Sequence, residues 1–420
     1  WIENTTPTEY RETIRDAALA WNKAFEKAGF RNAVQVEIQP DTASWDAGDI
    51  RYNVLRWTSS PNPPFGGYGP SFVNPRTGQI LGADIMLEYI FITNRMRAGE
   101  LWDPSAMMPT EWPEGHSGTM ALWHQQNLLF GNAALAAFDA DPVLRRRLID
   151  ESLHYLVLHE IGHTLGLNHN MKATQMLSPA ELNDAARTSQ TGLQGSVMDY
   201  PSLNLAHRGQ TQGQFATTTP GPYDLWAIEF GYSPAVANPG QEQARLEGIL
   251  SRSTEPALAF GNDADDMRSS TSGIDPRVMI NDMSSDAIGF AADRVVLARE
   301  VMSELGRKFL VNGGSHQTYL NAFQAATGQI AGSAVIASRY IGGVKVERAV
   351  VGQPGATRPY TPVSRDEQKR AMRLIADDLF APGAWGVPAE MYNLLQPQRR
   401  GFGFFGQTED PKIHQWVLGM

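Results

Sequence analysis

The sequence predicts an α+β fold, and three observations support that prediction. An amphipathic helical pattern near the N-terminus precedes three segments rich in β-forming residues, which indicates helices packed on a mixed sheet. A long helical pattern over residues 141–166 carries several histidines. Beyond about residue 235, helical segments alternate with loops interrupted by Pro and Gly. We therefore predict a first domain over residues 1–235 and a mainly helical C-terminal domain or extension over residues 236–420.

Length, composition and charge narrow the class of protein. With 420 residues, the chain is longer than one hydrophobic core usually organises. Its 42% hydrophobic and 19% charged residues are typical of globular proteins and exclude a largely disordered or fibrous chain. The net charge of −10 and the pI near 5.4 argue against nucleic acid or an anionic membrane surface as a partner.

Cysteines, membrane spans and leader sequences are the next features to consider. The chain has no cysteine, which excludes disulfides, thiolate metal ligands and a Cys nucleophile. It contains no apolar run of about 18 residues, so we expect no membrane-spanning helix. It begins at Trp1 without a basic and apolar leader, so we expect a processed product or an excerpt whose signal segment lies outside it.

The first helix is predicted from its end signals and its apolar period. Residues 6–9, Thr-Pro-Thr-Glu, are typical of a capping box with Pro at the first helical position, and Gly29 is a natural stop. Between them, apolar residues recur every three or four positions and predict one buried face. These residues are Tyr10, Ile14, Ala17, Trp21, Ala24 and Ala28.

Three extended segments and a long insertion follow. Residues 34–38 alternate apolar and polar side chains, residues 49–57 are rich in β-formers, and residues 80–90 follow a turn at residues 74–78. Residues 94–140 have weak periodicity and several Pro, Gly and Trp residues, so we predict an insertion with short helices.

Later helices also have clear start signals. Asp141 and Pro142 open the helix over residues 141–166, whose apolar stripe is broad. In the C-terminal part we predict helices over residues 287–309 and 317–339, and a third that opens with a capping box at residues 364–367.

One motif on the helix over residues 141–166 points to a metal. Residues 159–169 read His-Glu-Ile-Gly-His-Thr-Leu-Gly-Leu-Asn-His and match HExxHxxGxxH at every fixed position. Residues four apart on a helix lie one turn apart, so His159 and His163 are expected to converge on one ion. Glu160 is the predicted general base because it can reach a metal-bound water. The alternative is a chance alignment of surface or core histidines, which five matched positions disfavour.

The third ligand depends on a glycine. Gly166 is expected to end the helix with positive φ and to turn the chain so that His169 returns to the metal. Three neutral nitrogens leave a fourth position for water, which distinguishes a catalytic zinc site from a closed structural one. We predict zinc because the chain offers no thiolate for softer metals, although cobalt, nickel or manganese could substitute in vitro.

A second motif occupies residues 195–201, Gly-Ser-Val-Met-Asp-Tyr-Pro. Together the two motifs resemble the metzincin clan of zinc endopeptidases. The resemblance implies that Met198 belongs to a methionine-containing turn beneath the metal, and that Tyr200 contacts zinc at rest and swings to stabilise the tetrahedral intermediate. A phenol is a neutral donor that suits a developing oxyanion. Alternatively, Tyr200 is an ordinary packed aromatic residue beside a proline turn.

The branch of the clan is indicated by other segments. Asn170, after the third histidine, departs from the Glu, Asp, Pro or Ser of better-known branches. Residues 21–25, 49–52, 82–85 and 275–277 resemble a bacterial family of large secreted metzincin-type zinc proteases. This resemblance implies a secreted or periplasmic protein with a twisted mixed sheet above a cleft and the active-site helix beneath it.

Two segments are expected to bind substrate. The strand over residues 80–90 resembles the clan's cleft-edge strand and is expected to bind an extended peptide by β-augmentation. Its predicted contacts are Ala83, Asp84 and Ile85. The pocket for the side chain after the scissile bond is expected to be walled by Pro201, Ser202 and Leu203. The alternative is that both segments are ordinary sheet and turn.

Other polar clusters have structural interpretations. Residues 222–228 predict a helix under the methionine turn, with Asp224 near its positive end. Residues 262–266 offer oxygen ligands that suit calcium but lack the spacing of a known loop, and a solvated acidic turn is the alternative. The remaining histidines lack ligand spacing and are expected to be solvated or packed: His116, His124, His154, His207, His316 and His414.

These observations predict a zinc-dependent endopeptidase that hydrolyses peptide bonds, with a protein or peptide as its substrate. Two alternatives stay open. One is a catalytically silent binding protein that retains a zinc fold, although such a protein is expected to lack Glu160 or a ligand, and all four are present. The other is a narrow-specificity, toxin-like peptidase that acts on a single host protein.

Overall fold

The computed structural model describes residues 1–59, 67–88, 119–267 and 273–396, with only the backbone for residues 119–125 and 264–265. The predicted insertion up to residue 118, as well as His116 and His414, lies outside the described residues. The side chain of His124 is not described either.

The N-terminal helical segment forms two helices, α1 (Thr8–Ala20) and α2 (Asn22–Lys27). They are separated by Trp21, which is fully buried and donates from its indole Nε1 to the carbonyl of Leu158 at 3.1 Å. Gly29 ends the segment with a φ of +95°, as predicted. The predicted capping box is wrong. The N-cap residue is Pro7. Thr6 precedes it, so the Thr6 side chain does not cap the helix.

The main sheet is mixed. It contains β1 (Val54–Thr58), β2 (Gly67–Tyr68), β3 (Ser71–Val73) and β4 (Ile80–Glu88). On one side β4 pairs with the parallel strand β1, and on the other it pairs with the antiparallel strands β2 and β3. Single bridges add Ile2 beside β1 and Ile38 beside Ile2. Within the described residues, β2 and β3 therefore form one edge of the sheet.

The predicted strand over residues 34–38 is wrong except at Ile38. The side chain of Asn22 accepts a hydrogen bond from the backbone N–H of Val34 and donates one to its carbonyl, both at 2.9 Å. Because these two backbone groups are already paired, they cannot join a ladder. Only the bridge between Ile38 and Ile2 extends the sheet.

Helices dominate the rest of the described chain. They are α3 (Thr119–Ala137), α4 (Pro142–Thr164), α5 (Ala185–Thr191), α6 (Pro222–Tyr232), α7 (Pro239–Leu250), α8 (Asp263–Asp266), α9 (Ala287–Phe309), α10 (His316–Arg339), α11 (Arg365–Ile375) and α12 (Ala389–Tyr392). A small antiparallel pair joins β5 (Val344–Val346) to β6 (Tyr360–Pro362). The capping box at Ser364 and Glu367 is confirmed.

The two predicted regions share one hydrophobic core. A continuous cluster of buried side chains extends from Ile2 to Trp385, and α3 packs against α4, α9 and α10. The α+β fold is confirmed, whereas the boundary near residue 235 stays a prediction. Among the described helices, none combines the length and the apolar character needed to cross a bilayer.

Candidate metal centre

The metal helix, α4, begins and ends as its sequence predicts. Asp141 caps it by accepting a hydrogen bond from the Val143 N–H at 2.7 Å. The helix ends at Thr164, and Gly166 has a φ of +89°, in the region that glycine adopts without strain. The Leu167 N–H then donates back to a carbonyl on the last helical turn. This turn brings His169 alongside the helix.

The ring nitrogens of the three histidines meet at one point. The distance from His159 Nε2 to His163 Nε2 is 3.1 Å, and that from His163 Nε2 to His169 Nε2 is also 3.1 Å. Zinc bonds imidazole nitrogen at about 2.0–2.1 Å in tetrahedral geometry, which places two ligand nitrogens about 3.3 Å apart. Within the described chain, this trio is the one group with ligand atoms close enough to hold a metal. The three donors therefore fit a zinc ion.

Each histidine also has an oxygen acceptor at its other ring nitrogen. The acceptors are the Val197 carbonyl at 2.7 Å from His159 Nδ1, the Leu167 carbonyl at 3.0 Å from His163 Nδ1, and the Asp263 carboxylate at 2.9 Å from His169 Nδ1. Because these oxygens can only accept, each Nδ1 carries the proton and each Nε2 keeps its lone pair for the metal.

The role of Asp263 was missed by sequence reasoning. It lies 94 residues beyond His169 and belongs to the acidic cluster interpreted as a possible calcium site or a solvated turn. A solvated turn is wrong for Asp263 and Asp266, whose side chains are each 16% exposed. Asp266 pairs with Arg348 at 2.6 Å. No spacing rule connects a carboxylate to a histidine at such a separation, so only the composition of the cluster pointed to this site.

Tyr200 lies against the third histidine. Its hydroxyl is 2.8 Å from His169 Nε2, and its side chain is buried. The Tyr200 carbonyl accepts a hydrogen bond from the N–H of Asn281 at 2.8 Å. The Tyr200 hydroxyl therefore lies next to the point where the three histidine rings meet.

Met198 lies directly beneath the metal helix. Its side chain is fully buried, and its sulfur would overlap a Cβ placed on Gly162. Its carbonyl accepts a hydrogen bond from the Asn170 N–H at 2.9 Å. Close approach of the methionine turn to the helix thus requires glycine at position 162.

Asp224 fastens the methionine turn to α6. Its carboxylate accepts hydrogen bonds from Ser196 Oγ at 2.6 Å, from the Val197 N–H at 2.8 Å and from the Gly221 N–H at 2.7 Å. Burial raises the pKa of Asp224 to about 6, while these three donors oppose the shift. Since the Val197 carbonyl orients His159, Asp224 holds the turn that positions a candidate ligand.

Glu160 is buried beneath the edge of the sheet. The Gly69 N–H donates to its carboxylate, and burial raises the pKa of Glu160 to about 8. A Cβ on Gly67 would come within 2.6 Å of Glu160 Oε1, and one on Gly69 would overlap the Glu160 backbone oxygen. The edge strand therefore packs on Glu160 only because these two positions are glycine.

The expectation that residues 80–90 form the cleft edge is wrong, because β4 lies inside the sheet. Ala83 pairs with Ser71 of β3 on one side, and the other two predicted contact residues pair with β1: Asp84 with Val54, and Ile85 with Leu55. The edge next to Glu160 is formed by β2 and β3 instead. Pro201, Ser202 and Leu203 are buried beyond Tyr200, and their role as a pocket wall stays a prediction.

Comparison with known proteins gives one match. The family model described as Met-zincin matches residues 141–420, which is more than half of the chain. The matched range includes the whole of α4, the methionine turn and Asp263. No curated protein and no solved structure matches the chain.

Proposed function

The chain belongs to the Met-zincin family, and we propose that it is a zinc-dependent endopeptidase that hydrolyses peptide bonds with an activated water. The observation that carries the proposal is the convergence of three Nε2 atoms whose rings are each oriented at Nδ1. When bound there, zinc would polarise the scissile carbonyl and lower the pKa of a coordinated water.

Glu160 is the proton carrier in this mechanism. It accepts a proton from the attacking water and passes it to the leaving amine. Burial raises the pKa of Glu160, and a zinc ion on the three histidines would favour its carboxylate form, so the residue could both accept and release a proton there. Tyr200 donates a hydrogen bond to the oxyanion that develops on the carbonyl oxygen.

The substrate lies along the sheet edge. The antiparallel edge formed by β2 and β3 passes over Glu160, and the Phe72 and Val73 side chains on it are exposed. An extended peptide that pairs with this edge brings its backbone next to the general base. Recognition through backbone groups implies an endopeptidase that tolerates many sequences.

The test compares Glu160→Ala with wild type on casein, with Glu247→Ala on the surface of α7 as the matched control. We expect Glu160→Ala to bind one zinc ion per chain by metal analysis and to lose cleavage, and the control to keep both. Cleavage that persists in Glu160→Ala, or survives a zinc chelator, would contradict the proposal. A zinc-bound wild type that cleaves nothing in a peptide library would indicate a silent binding protein, and one that cleaves only a single sequence would indicate a narrow-specificity peptidase.

A separate variant tests the role of Tyr200. Tyr200→Phe is expected to lower kcat by roughly 10²-fold with zinc content unchanged, because only the hydroxyl is lost. Tyr360→Phe, which alters an exposed tyrosine on β6, is the control. An unchanged kcat in Tyr200→Phe would mean that the phenol only packs.

A further inference from the structure

Asn170, which follows the third candidate ligand directly, is bonded through its side chain to the chain beyond residue 235. The side chain is fully buried. Its Nδ2 donates to the carbonyl of Ala259 at 2.9 Å, and its Oδ1 accepts a hydrogen bond from the Gly261 N–H at 3.2 Å. Because a carbonyl only accepts and an N–H only donates, these partners fix which way the amide points. Both polar groups of Asn170 therefore bind one short segment, residues 259–261.

The same segment is joined to the loop of the third ligand at two further points. The Met171 N–H donates to the carbonyl of Gly261 at 2.8 Å, and the side-chain amide of Asn262 donates to the carbonyl of His169 at 3.4 Å. The two stretches of chain therefore lie side by side.

Asp263 is the next residue after this contact. Its carboxylate accepts a hydrogen bond from His169 Nδ1 at 2.9 Å and is 16% exposed. An Asp side chain is short, so the place of its carboxylate follows the position of its backbone. The hydrogen bonds at residues 259–262 fix the backbone on the side of the chain that precedes Asp263.

The backbone of Asn170 is held from the other side by the methionine turn. Its N–H donates to the carbonyl of Met198 at 2.9 Å. Met198 in turn packs against Gly162 on the metal helix. Asn170 therefore lies between the turn beneath the three histidines and the segment that leads to Asp263.

We propose that Asn170 is a positioning residue of the metal centre: by fixing residues 259–261, its amide holds Asp263 where the carboxylate orients His169. Asn170 contacts neither metal nor substrate in this role and acts through Asp263. A ligand that is oriented in advance binds a metal more tightly, because less freedom is lost when the metal arrives. The inference rests on the zinc site of the proposed peptidase, but its test needs no catalysis.

A double-mutant cycle on the full chain tests this route. Zinc affinity is measured by competition with a chelator for wild type, Asn170→Ala, Asp263→Ala and the double variant, and urea denaturation gives the stability of each protein. Asn22→Ala is the matched control, because Asn22 also makes two side-chain hydrogen bonds to backbone groups, both of them in Val34.

We expect Asn170→Ala to weaken zinc binding by roughly 10-fold, as for other residues that support a metal ligand. Once Asp263 is absent, the Asn170 amide has no carboxylate to position, so the double variant should bind zinc as tightly as Asp263→Ala alone. Asn22→Ala should lose stability but bind zinc as wild type does, which separates positioning from a general loss of stability.

A second pair of variants covers the case in which Asn170→Ala does not fold. Asn170→Asp keeps the acceptor for Gly261 and puts an oxygen in place of the donor to Ala259. Its added charge is present with and without Asp263, so a comparison of the two backgrounds cancels the direct effect of that charge on zinc. Asn170→Asp should therefore weaken zinc binding more in wild type than in Asp263→Ala.

Two results would overturn the inference. Unchanged zinc affinity in Asn170→Ala would mean that packing of Gly261 against Val278 holds the segment without the amide. Equal changes with and without Asp263 would mean that Asn170 acts on His169 by another route. If wild type binds zinc but cleaves no peptide, the peptidase proposal fails while the result of the cycle stands; a wild type that binds no zinc would contradict both.

Discussion

The regions before and after residue 235 contribute differently to the same three histidines. His159 and His163 are oriented by backbone carbonyls from the first region, at Val197 and Leu167. The ring of His169 is oriented by a side chain of the second region, Asp263. A substitution keeps the backbone carbonyl of the residue that it changes, whereas it removes a side-chain carboxylate. The second region is therefore part of the metal centre, and its contribution is the more vulnerable.

The same contrast extends to the segment after the methionine turn. Within the first region, Asp224 holds Ser196 and Val197 with one hydrogen bond each and accepts a third from the Gly221 N–H. Beyond Tyr200, the segment is held from the second region, by Asn281 and by Arg294. This segment is thus fixed at its start by Asp224 and at its end by the loop that holds Asn281 and by α9.

The largest expected effect is within the first region. Asp224→Ala leaves three buried donors without an acceptor, so the free energy of unfolding should fall by roughly 3–5 kcal/mol. Urea denaturation measures this free energy of unfolding. Asp150→Ala is the control, because Asp150 forms a surface ion pair with Arg146. A loss in Asp224→Ala as small as that of the control would mean that the turn is held mainly from the second region.

A smaller loss is expected at the sheet edge. Gly69→Ala places a Cβ on the backbone oxygen of Glu160, so we expect a loss of about 2–3 kcal/mol and a fall in activity. Gly306→Ala in α9 is the matched control from the second region, where a Cβ meets no neighbour and a helical alanine is favourable by up to about 1 kcal/mol. Equal stability of the two variants in thermal unfolding would show that the edge moves freely off Glu160.

The comparison itself is tested at Asp263. Asp263→Ala should weaken zinc binding by roughly 10- to 100-fold, since removal of a carboxylate that orients a ligand histidine has this effect. Competition with a chelator measures the affinity without any need for turnover. Asp266→Ala on the same short helix is the control and should bind zinc as wild type does. Equal zinc affinities for wild type, Asp263→Ala and Asp266→Ala would mean that the second region packs over the metal centre without orienting its ligands.

The last effect concerns pH, where the two regions meet at buried carboxylates. Asp199 and Asp282 both bond to Thr174, at 3.1 and 2.9 Å, and burial raises the pKa of Asp282 to about 7. Because the folded pKa is above the ordinary value of 3.8, the stability from Asp282 is complete below that value and is lost as the pH rises through about 7.

Asp282→Asn removes this loss. Relative to wild type, the variant should gain stability as the pH rises from 5 to about 7, and the gain should level off above pH 8. The measurement is the difference in Tm between the two proteins at each pH, with Asp366→Asn on exposed α11 as the control. A difference that does not change with pH would mean that Asp282 stays ionised throughout, as the nearby Arg339 favours.

Local patterns in the sequence determined much of the metal centre. The spacing of His159 and His163, the glycine turn at Gly166 and the capping box at Ser364 all appear as predicted. So do the bounds of α9, and those of α10 to within one residue. Helical hydrogen bonds and caps join residues about four apart, so the partners are visible in a short window of sequence.

Tertiary structure alone decided the rest. Which strand forms the sheet edge, which carboxylate orients His169 and which carbonyl receives Arg294 all depend on residues that are far apart in the chain. A strand carries donors and acceptors on both sides whatever its neighbour, so the pattern of residues 80–88 is the same inside a sheet as at its edge. Long-range partners are chosen by packing of the whole core, which no local window contains.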